Sequence, residues 1–401
     1  MSPVNSIDAV TSAPTVPGAK GHTDGAGAFV PVQTRSERPW SLDPTAFEAP
    51  TGREVNWKHT PIAQLKPLFT DEAGPHGVIE VGVTGPEGLV QKRLPVGVAP
   101  RGEVFRPEDL PSAIAWKQET EAPLLRIPAG AEYSEPVVVS LKGTGGLAHA
   151  HVVVEAEANS HATVVFHHTG TAHHAQNVEI IVRDGAHLEV VTVQRWDDDA
   201  VHASSHQARV GRDATLRHIV VSFGGGVVRV NPSVELAGTG SRAELYGLSY
   251  SDAGQHLESQ VYLHHKGAET SGDVLYKSAL QGAAARTVWI GDVLIGADAV
   301  ATDSYEANRN LVLTEGARAE SIPNLEIETG DIRGAGHASA TGRFDDEQLF
   351  YLQARGIPED EARRLVVLGF LAEIVQKIGV EDLEAELFAA IEEELAKEAG
   401  R

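Results

Sequence analysis

The chain has 401 residues, and 33 Lys and Arg against 56 Asp and Glu leave a formal charge of −23, an acidic balance that disfavours nucleic acid and other polyanions as partners. It contains no cysteine, which excludes disulfides, thiolate nucleophiles and any zinc or iron–sulfur centre held by its own thiolates. Metal chemistry, if any, falls to His, Asp or Glu.

Residues 1–35 are rich in Ser, Thr, Pro, Ala and Gly and carry little hydrophobic periodicity, so a disordered tail is expected there. The first twenty residues lack a basic stretch followed by an apolar run, and no window approaches about 18 apolar residues, so neither a secretory leader nor a membrane span is expected. The expected location is the cytoplasm. Residues 36–116 read as a small N-terminal helical and mixed domain, with a helix start at Pro61-Ile62-Ala63-Gln64-Leu65, where proline suits the first helical position.

From 117 to 341 the pattern changes to short β-branched runs such as Val137-Val138-Val139, Val152-Val153-Val154 and Val190-Val191-Thr192-Val193, separated by Gly, Asn or Asp. Strands are predicted throughout. A turn residue followed by alanine recurs at Ala186, Ala214, Ala243, Ala268, Ala297 and Ala317, at intervals of about 28, 29, 25, 29 and 20 residues. A loose period of this size marks stacked repeat units, and alanines stacked at one corner suit a narrow coil. The prediction is a mainly β protein with a parallel β-helix core, since propeller blades need about 40 to 45 residues.

Residues 342–401 read as a C-terminal helical domain. Asp345-Asp346-Glu347-Gln348 lead into Leu349-Phe350-Tyr351-Leu352; a second helix opens at Pro358 with a stripe of Leu365, Leu368, Ala372, Val375 and Ile378; a third carries Leu383, Leu387, Ile391 and Leu395. Acidic residues at the helix starts suit the dipole. Fifteen acidic and six basic residues from Asp345 onward suggest an acidic docking module for a protein partner.

The chemistry-bearing motifs are few. The glycine runs at 143–146 and 224–226 lack the lysine of a phosphate loop, and neither a zinc-protease helix nor a nucleophile elbow occurs. Fourteen of the 18 histidines lie between His149 and His265; on β-helix rungs they are expected on the outer faces, with a metal site the alternative. His337 stands apart, alone among Gly334, Ala335, Gly336, Ala338 and Ser339, where small neighbours leave it open to a second chain as a ligand or, otherwise, a buried structural histidine.

Several segments together carry a resemblance: Asn308-Arg309-Asn310-Leu311-Val312-Leu313, Pro323-Asn324-Leu325-Glu326-Ile327, Gly336-His337-Ala338, and Gly342-Arg343-Phe344-Asp345-Asp346-Glu347-Gln348-Leu349-Phe350-Tyr351-Leu352-Gln353-Ala354-Arg355-Gly356-Ile357. They resemble the SufB/SufD family of iron–sulfur cluster assembly proteins, and with Glu54-Val55-Asn56-Trp57-Lys58-His59-Thr60-Pro61 the similarity spans most of residues 36–378. The resemblance implies a right-handed parallel β-helix flanked by helical domains. It also implies a non-catalytic scaffold that pairs with SufB through the β-helix ends and binds the ATPase SufC through its C-terminal helices. The absence of cysteine points to the SufD-type branch. Ala335 stands where the family turn commonly has Cys, and Ala338 where it has Gly, while His337 remains as a ligand for iron or a transient cluster at the SufB interface. Phe344, Asp345, Glu347, Phe350, Tyr351 and Arg355 fall in the segment expected to bind SufC. No cofactor held by this chain alone and no flavin fingerprint is expected. A SufB-type or homodimeric scaffold is the alternative within the family, and a β-helix polysaccharide lyase or hydrolase the alternative outside it.

Overall fold

The computed structural model describes residues 38–73, 78–344 and 346–399; the tail expected over 1–35 lies outside them. Four short strands open the structure: β1 (Ile79–Thr84), β2 (Val90–Pro95), β3 (Glu121–Ile127) and the first half of β4 (Val137–Ala156). β1 and β2 add antiparallel to β4 and β3 respectively. From there every pairing is parallel. β4 and β5 (His161–Val182) are long strands that bend across both walls of the fold, and β5 pairs with β6 (His187–Trp196) through its first half and with β7 (Val201–Val210) through its second. The even strands then stack as β6, β8 (Thr215–Ser222), β10 (Arg242–Ser251), β12 (Ser271–Leu280), β14 (Thr302–Val312) and β16 (Ile332–Arg343). The odd strands stack as β7, β9 (Val227–Leu236), β11 (His256–His265), β13 (Arg286–Ile295) and β15 (Arg318–Ile327). The molecule is a mainly parallel β-solenoid with helices towards the two ends of the sequence.

Register explains the loose alanine repeat. Ser160, Ala186, Ala214, Ser241 and Thr270 precede in-register strand starts on one wall, Thr302 opens β14 in line with Thr270, and all six are buried. Small residues fit this inner corner, and the hydroxyls of Ser160, Ser241 and Thr302 donate to carbonyls three residues back at 2.6, 2.7 and 2.9 Å. Ala317 belongs to the opposite corner with Ala200 and Ala285, which precede the starts of β15, β7 and β13. The sequence intervals mixed two corners; along one corner the coil is roughly 26 to 32 residues.

Both walls are covered outside. Leu65 of α1 (Ile62–Leu65), Leu68 and Ala115 of α2 (Leu110–Gln118) pack on Ala175, Val201, Ala203 and Val227 of the odd wall. Buried carboxylates clip this layer down: Glu179 accepts from the backbone N–H groups of Gly102, Val104 and Phe105 at 2.8, 2.7 and 3.1 Å. Glu258 accepts from Arg229 and Thr60 at 3.0 Å. On the even wall, α4 (Glu359–Val375), α5 (Glu381–Ala399) and the turn between them bury Val367, Leu371, Ile374, Ile378, Leu387 and Ile391 against Val191, Val193, Ile219, Val221, Leu248 and Tyr250. The sequence-predicted stripe holds in its second half, where Val375 and Ile378 are buried, whereas Leu365 is exposed and Leu368 only partly buried. In its first half the strand face that α4 meets selects Val367 and Leu371.

The histidines correct the sequence expectation most sharply. His168, His174, His202, His206, His218 and His265 are buried, not on outer faces. They alternate with residues such as Val201, Ala203, Ile219 and Val221 that pack outward, so they face the lumen.

Candidate functional site

The last coil leaves the solenoid open. Among the described residues β15 pairs only with β13, and β16 only with β14, so the outer edges of both strands present unpaired backbone groups. Almost every residue of β15 and β16 retains exposure, where earlier strands are mostly buried. An exposed parallel edge of this length is a template for another strand.

His337 lies on that edge, in the middle of β16 rather than in the turn suggested by the family pattern. It is the register partner of Glu306 on β14, and its Nδ1 is 3.8 Å from Glu306 Oε1. The two side chains differ greatly in exposure, 46% for His337 against 1% for Glu306. Among the described residues neither carboxyl oxygen of Glu306 has a hydrogen-bond partner. Burial, aided by the charge of Asp292, pushes its pKa up to about 8, so it is mostly protonated at neutral pH. The approach is close enough to require glycine at 291, where an added Cβ would fall 2.3 Å from Glu306 Oε2. Asn324 fixes the neighbouring strand by donating to Gly291 O at 3.0 Å and Asp292 Oδ1 at 2.9 Å.

Glu306 was not found in the sequence, although one signal was there. It lies one coil before His337, and a corrected coil length would have stacked the two. Together they offer an imidazole nitrogen and a carboxyl oxygen from one face. Among the described residues no three His, Asp or Glu side chains converge as a metal site. The pair can therefore supply part of a coordination sphere, with the remaining ligands coming from another molecule. Ala335, at the position where a thiolate was the family expectation, is the register partner of Ser304 and supplies no ligand.

The residues expected to dock a partner separate into two groups. Phe350 and Tyr351 on α3 (Asp346–Gln353) are 71% and 56% exposed. Arg355 lies over the Tyr351 ring at 4.5 Å and donates to its hydroxyl. Phe344 is partly buried beneath Arg363, whose guanidinium sits 4.8 Å from its ring centre. A groove of about 550 Å³ adjoins it, lined by Leu313, Phe344, Arg363, Val367 and Leu395. Asp345 lies outside the described residues, as does the side chain of Glu347. The apolar faces of α4 and α5 are occupied by the solenoid, which leaves α3 as the helix with free aromatic surface.

Ion pairs join these helices to the strands beside the open end. Lys277 on β12 donates to Phe370 O at 2.8 Å and pairs with Glu373 at 2.6 Å. Arg309 on β14 reaches the same carboxylate at 4.0 Å. These contacts tie α4 to the two strands that stack beneath β16.

Residues 139–370 match the family model described as SUF system FeS cluster assembly, SufBD core domain. An iron–sulfur cluster assembly SufBD family protein of Mycobacterium bovis is 48% identical over 363 residues, covering 88% of this chain and 91% of that protein. One from Mycobacterium leprae is 45% identical over 363 residues, covering 88% and 93%. A second Mycobacterium leprae protein with the same family name is 29% identical over 208 residues, 52% of this chain but 24% of that protein. Among the described residues no helix is long and apolar enough to cross a membrane. With the family match over more than half its length and near-complete relatives at this identity, the chain belongs to the SufBD family of iron–sulfur cluster assembly proteins.

Proposed function

We propose that this chain is a SufD-type, non-catalytic scaffold that pairs with SufB through its open solenoid end and carries the ATPase SufC on its C-terminal helices. Iron, sulfide or a nascent cluster is cargo at the SufB junction rather than a resident cofactor of this chain. The observation that carries the reading is the unpaired β15 and β16 edge, bearing His337 beside an unpartnered carboxyl in a family member without cysteine. Imidazole nitrogen and carboxyl oxygen are suitable donors for iron, and thiolate ligands would come from SufB. Closure of two SufC subunits on ATP would displace α4, and the Glu373 links to Lys277 and Arg309 would pass the movement to β12 and β14.

The test is reconstitution with SufB and SufC under anaerobic conditions. His337→Ala is expected to retain SufC binding and to lose most cluster formation, measured by iron and sulfide content of the complex. Unchanged cluster yield would remove His337 from the mechanism.

A further inference from the structure

We propose that Arg217 and the carboxyls of Glu189 and Glu244 form a pH-sensitive latch that holds the turn between α4 and α5 on the even wall and loosens as pH rises. Register builds the latch. Glu189, Arg217, Glu244 and Asp273 are successive Cα partners on β6, β8, β10 and β12. They stand two residues before Val191, Ile219, Tyr246 and Leu275, which belong to the cluster packed under the helices, so strand alternation puts the charged row on the same outer face.

The turn sits on this row. Arg217 Nη1 donates to Lys377 O, two residues beyond the end of α4, at 3.0 Å. Its Nε donates to Glu244 Oε2 at 2.6 Å, and Nη1 also reaches Glu189 Oε2 at 3.3 Å. A cation suits this place, because the carbonyls at a helix C-terminus lack intrahelical donors. The Lys377 ammonium lies over the Tyr246 ring, 4.3 Å from its centre, and the Tyr246 hydroxyl donates to Asp273 Oδ2 at 2.8 Å. Gly379, at φ +67°, closes the turn and donates its N–H to Glu384 Oε1 at 2.9 Å. Two other wall side chains grip helix carbonyls, Lys277 at Phe370 and Gln281 at Glu394. Lys277 is paired with a carboxylate of α4 itself and Gln281 is neutral, so the grip that carboxyls of the wall share is the one at the turn.

The latch holds more acid than base. Facing Glu189 are Arg217 from β8, Glu244 beyond it on β10 and Glu384 from α5. Its partner on β5 is the uncharged Thr163, and His187 on its own strand is exposed. The Glu189 side chain is 13% exposed, and among the described residues its Oε1 has no hydrogen-bond partner. Desolvation, opposed by Arg217 and aided by Glu244 and Glu384, pushes its pKa from 4.5 up to about 7. Lifting the turn takes Glu384 away and admits water, which returns the carboxyl to its ordinary value. The docked turn is therefore the form that binds the proton more tightly. Docking is at full strength below about pH 4.5 and weakens as pH rises through 7.

The bearing of the latch on assembly rests on the proposed attachment of SufC to the C-terminal helices: a turn whose grip weakens across neutral pH lets α4 move without unfolding the solenoid. The test is made on the isolated full chain, so that failure of the latch and failure of the assembly reading are distinguishable.

Hydrogen exchange of the amides of residues 376–384 is read by mass spectrometry at pH 6 and pH 8, corrected for the pH dependence of intrinsic exchange. Protection of the turn should fall by about tenfold between the two, and by more than that of β8 and β10, which report wider opening. Glu189→Gln, which keeps the shape of the protonated acid, should hold the turn at pH 8 as firmly as at pH 6. Glu384→Gln, on the first turn of α5, serves if that variant does not fold and should shrink the change by at least half. His167, which pairs with Glu386 on α5 at 3.1 Å, is the competing titratable group, and His167→Gln should leave the change intact. Native protection that is the same at pH 6 and pH 8 would overturn the proposal. So would a change that persists undiminished in the folded Glu189 or Glu384 variant, or one that His167→Gln abolishes.

Discussion

The carboxyl of Glu306 keeps its proton at neutral pH because removing it would strand a charge in the wall of the solenoid, without a donor and near Asp292. Its folded pKa of about 8 lies above the ordinary value of 4.5. An acid with a raised folded pKa binds its proton more tightly when folded, so stability is unaffected below about pH 4.5 and declines as pH rises towards 8. Glu306→Gln removes that decline. At pH 8 the variant should be more stable than the native chain by on the order of 3 kcal/mol, and the two should converge near pH 5, as measured by urea denaturation at both pH values. A gap that is the same at both would show that the carboxyl is not protonated in the fold. This residue was invisible in the sequence for a specific reason. His337 announced itself by its small neighbours, whereas Glu306 acquires its chemistry from being one coil below, and the coil length was obscured by alanines drawn from two corners.

At the scale of elements, the three C-terminal helices were legible because each begins with acidic residues and carries an apolar stripe. What those stripes face was not. Periodicity identifies an apolar face but not its partner, and the partner is the even wall of the solenoid. Removing everything after Gly342 would therefore uncover Val191, Ile219 and Leu248, and loss of SufC capture would report misfolding as readily as lost docking. Point variants separate the two. Leu387→Ala, in the buried face of α5, should cost about 2 to 5 kcal/mol of stability. Phe350→Asp, on exposed α3, should change stability by less than about 0.5 kcal/mol and abolish SufC capture in a pull-down. A Phe350→Asp chain that still captures SufC at native levels would place the docking surface elsewhere.

The whole molecule carries a consequence of its filled lumen that no single strand reveals. The runs of β-branched residues and the small corner residues were enough to suggest a β-helix, but alternation within a strand does not say which side is inside when both sides are buried. Here the odd wall is covered by the N-terminal layer and the even wall by α4 and α5, so histidines could face either way, and six face inward. Burial lowers the pKa of His168 and His218 to about 4 and of His174 and His265 to about 3, with His202 and His206 well below the usual 6.5. A base with a lowered folded pKa takes up its proton more readily when unfolded. Stability is then fully present above about pH 6.5 and is lost as pH falls from there towards 4. For His168, His174, His218 and His265 the loss by pH 5 is about 2 kcal/mol each, together comparable with the total stability of about 5 to 15 kcal/mol typical of a folded domain. Glu258, whose pKa is lowered to about 2 chiefly by His256 and Arg229 against the cost of its burial, loses its contribution only below about pH 4.5, in a separate and more acidic window. The chain should therefore unfold cooperatively near pH 5, followed by far-UV circular dichroism, with uptake of several protons read from the steepness of the transition. Replacing His168 by Gln, which retains a hydrogen-bonding amide, should move the midpoint to lower pH. A native chain whose stability towards urea is the same at pH 7 and pH 5 would mean that the luminal imidazoles are already solvated well enough to charge inside the fold.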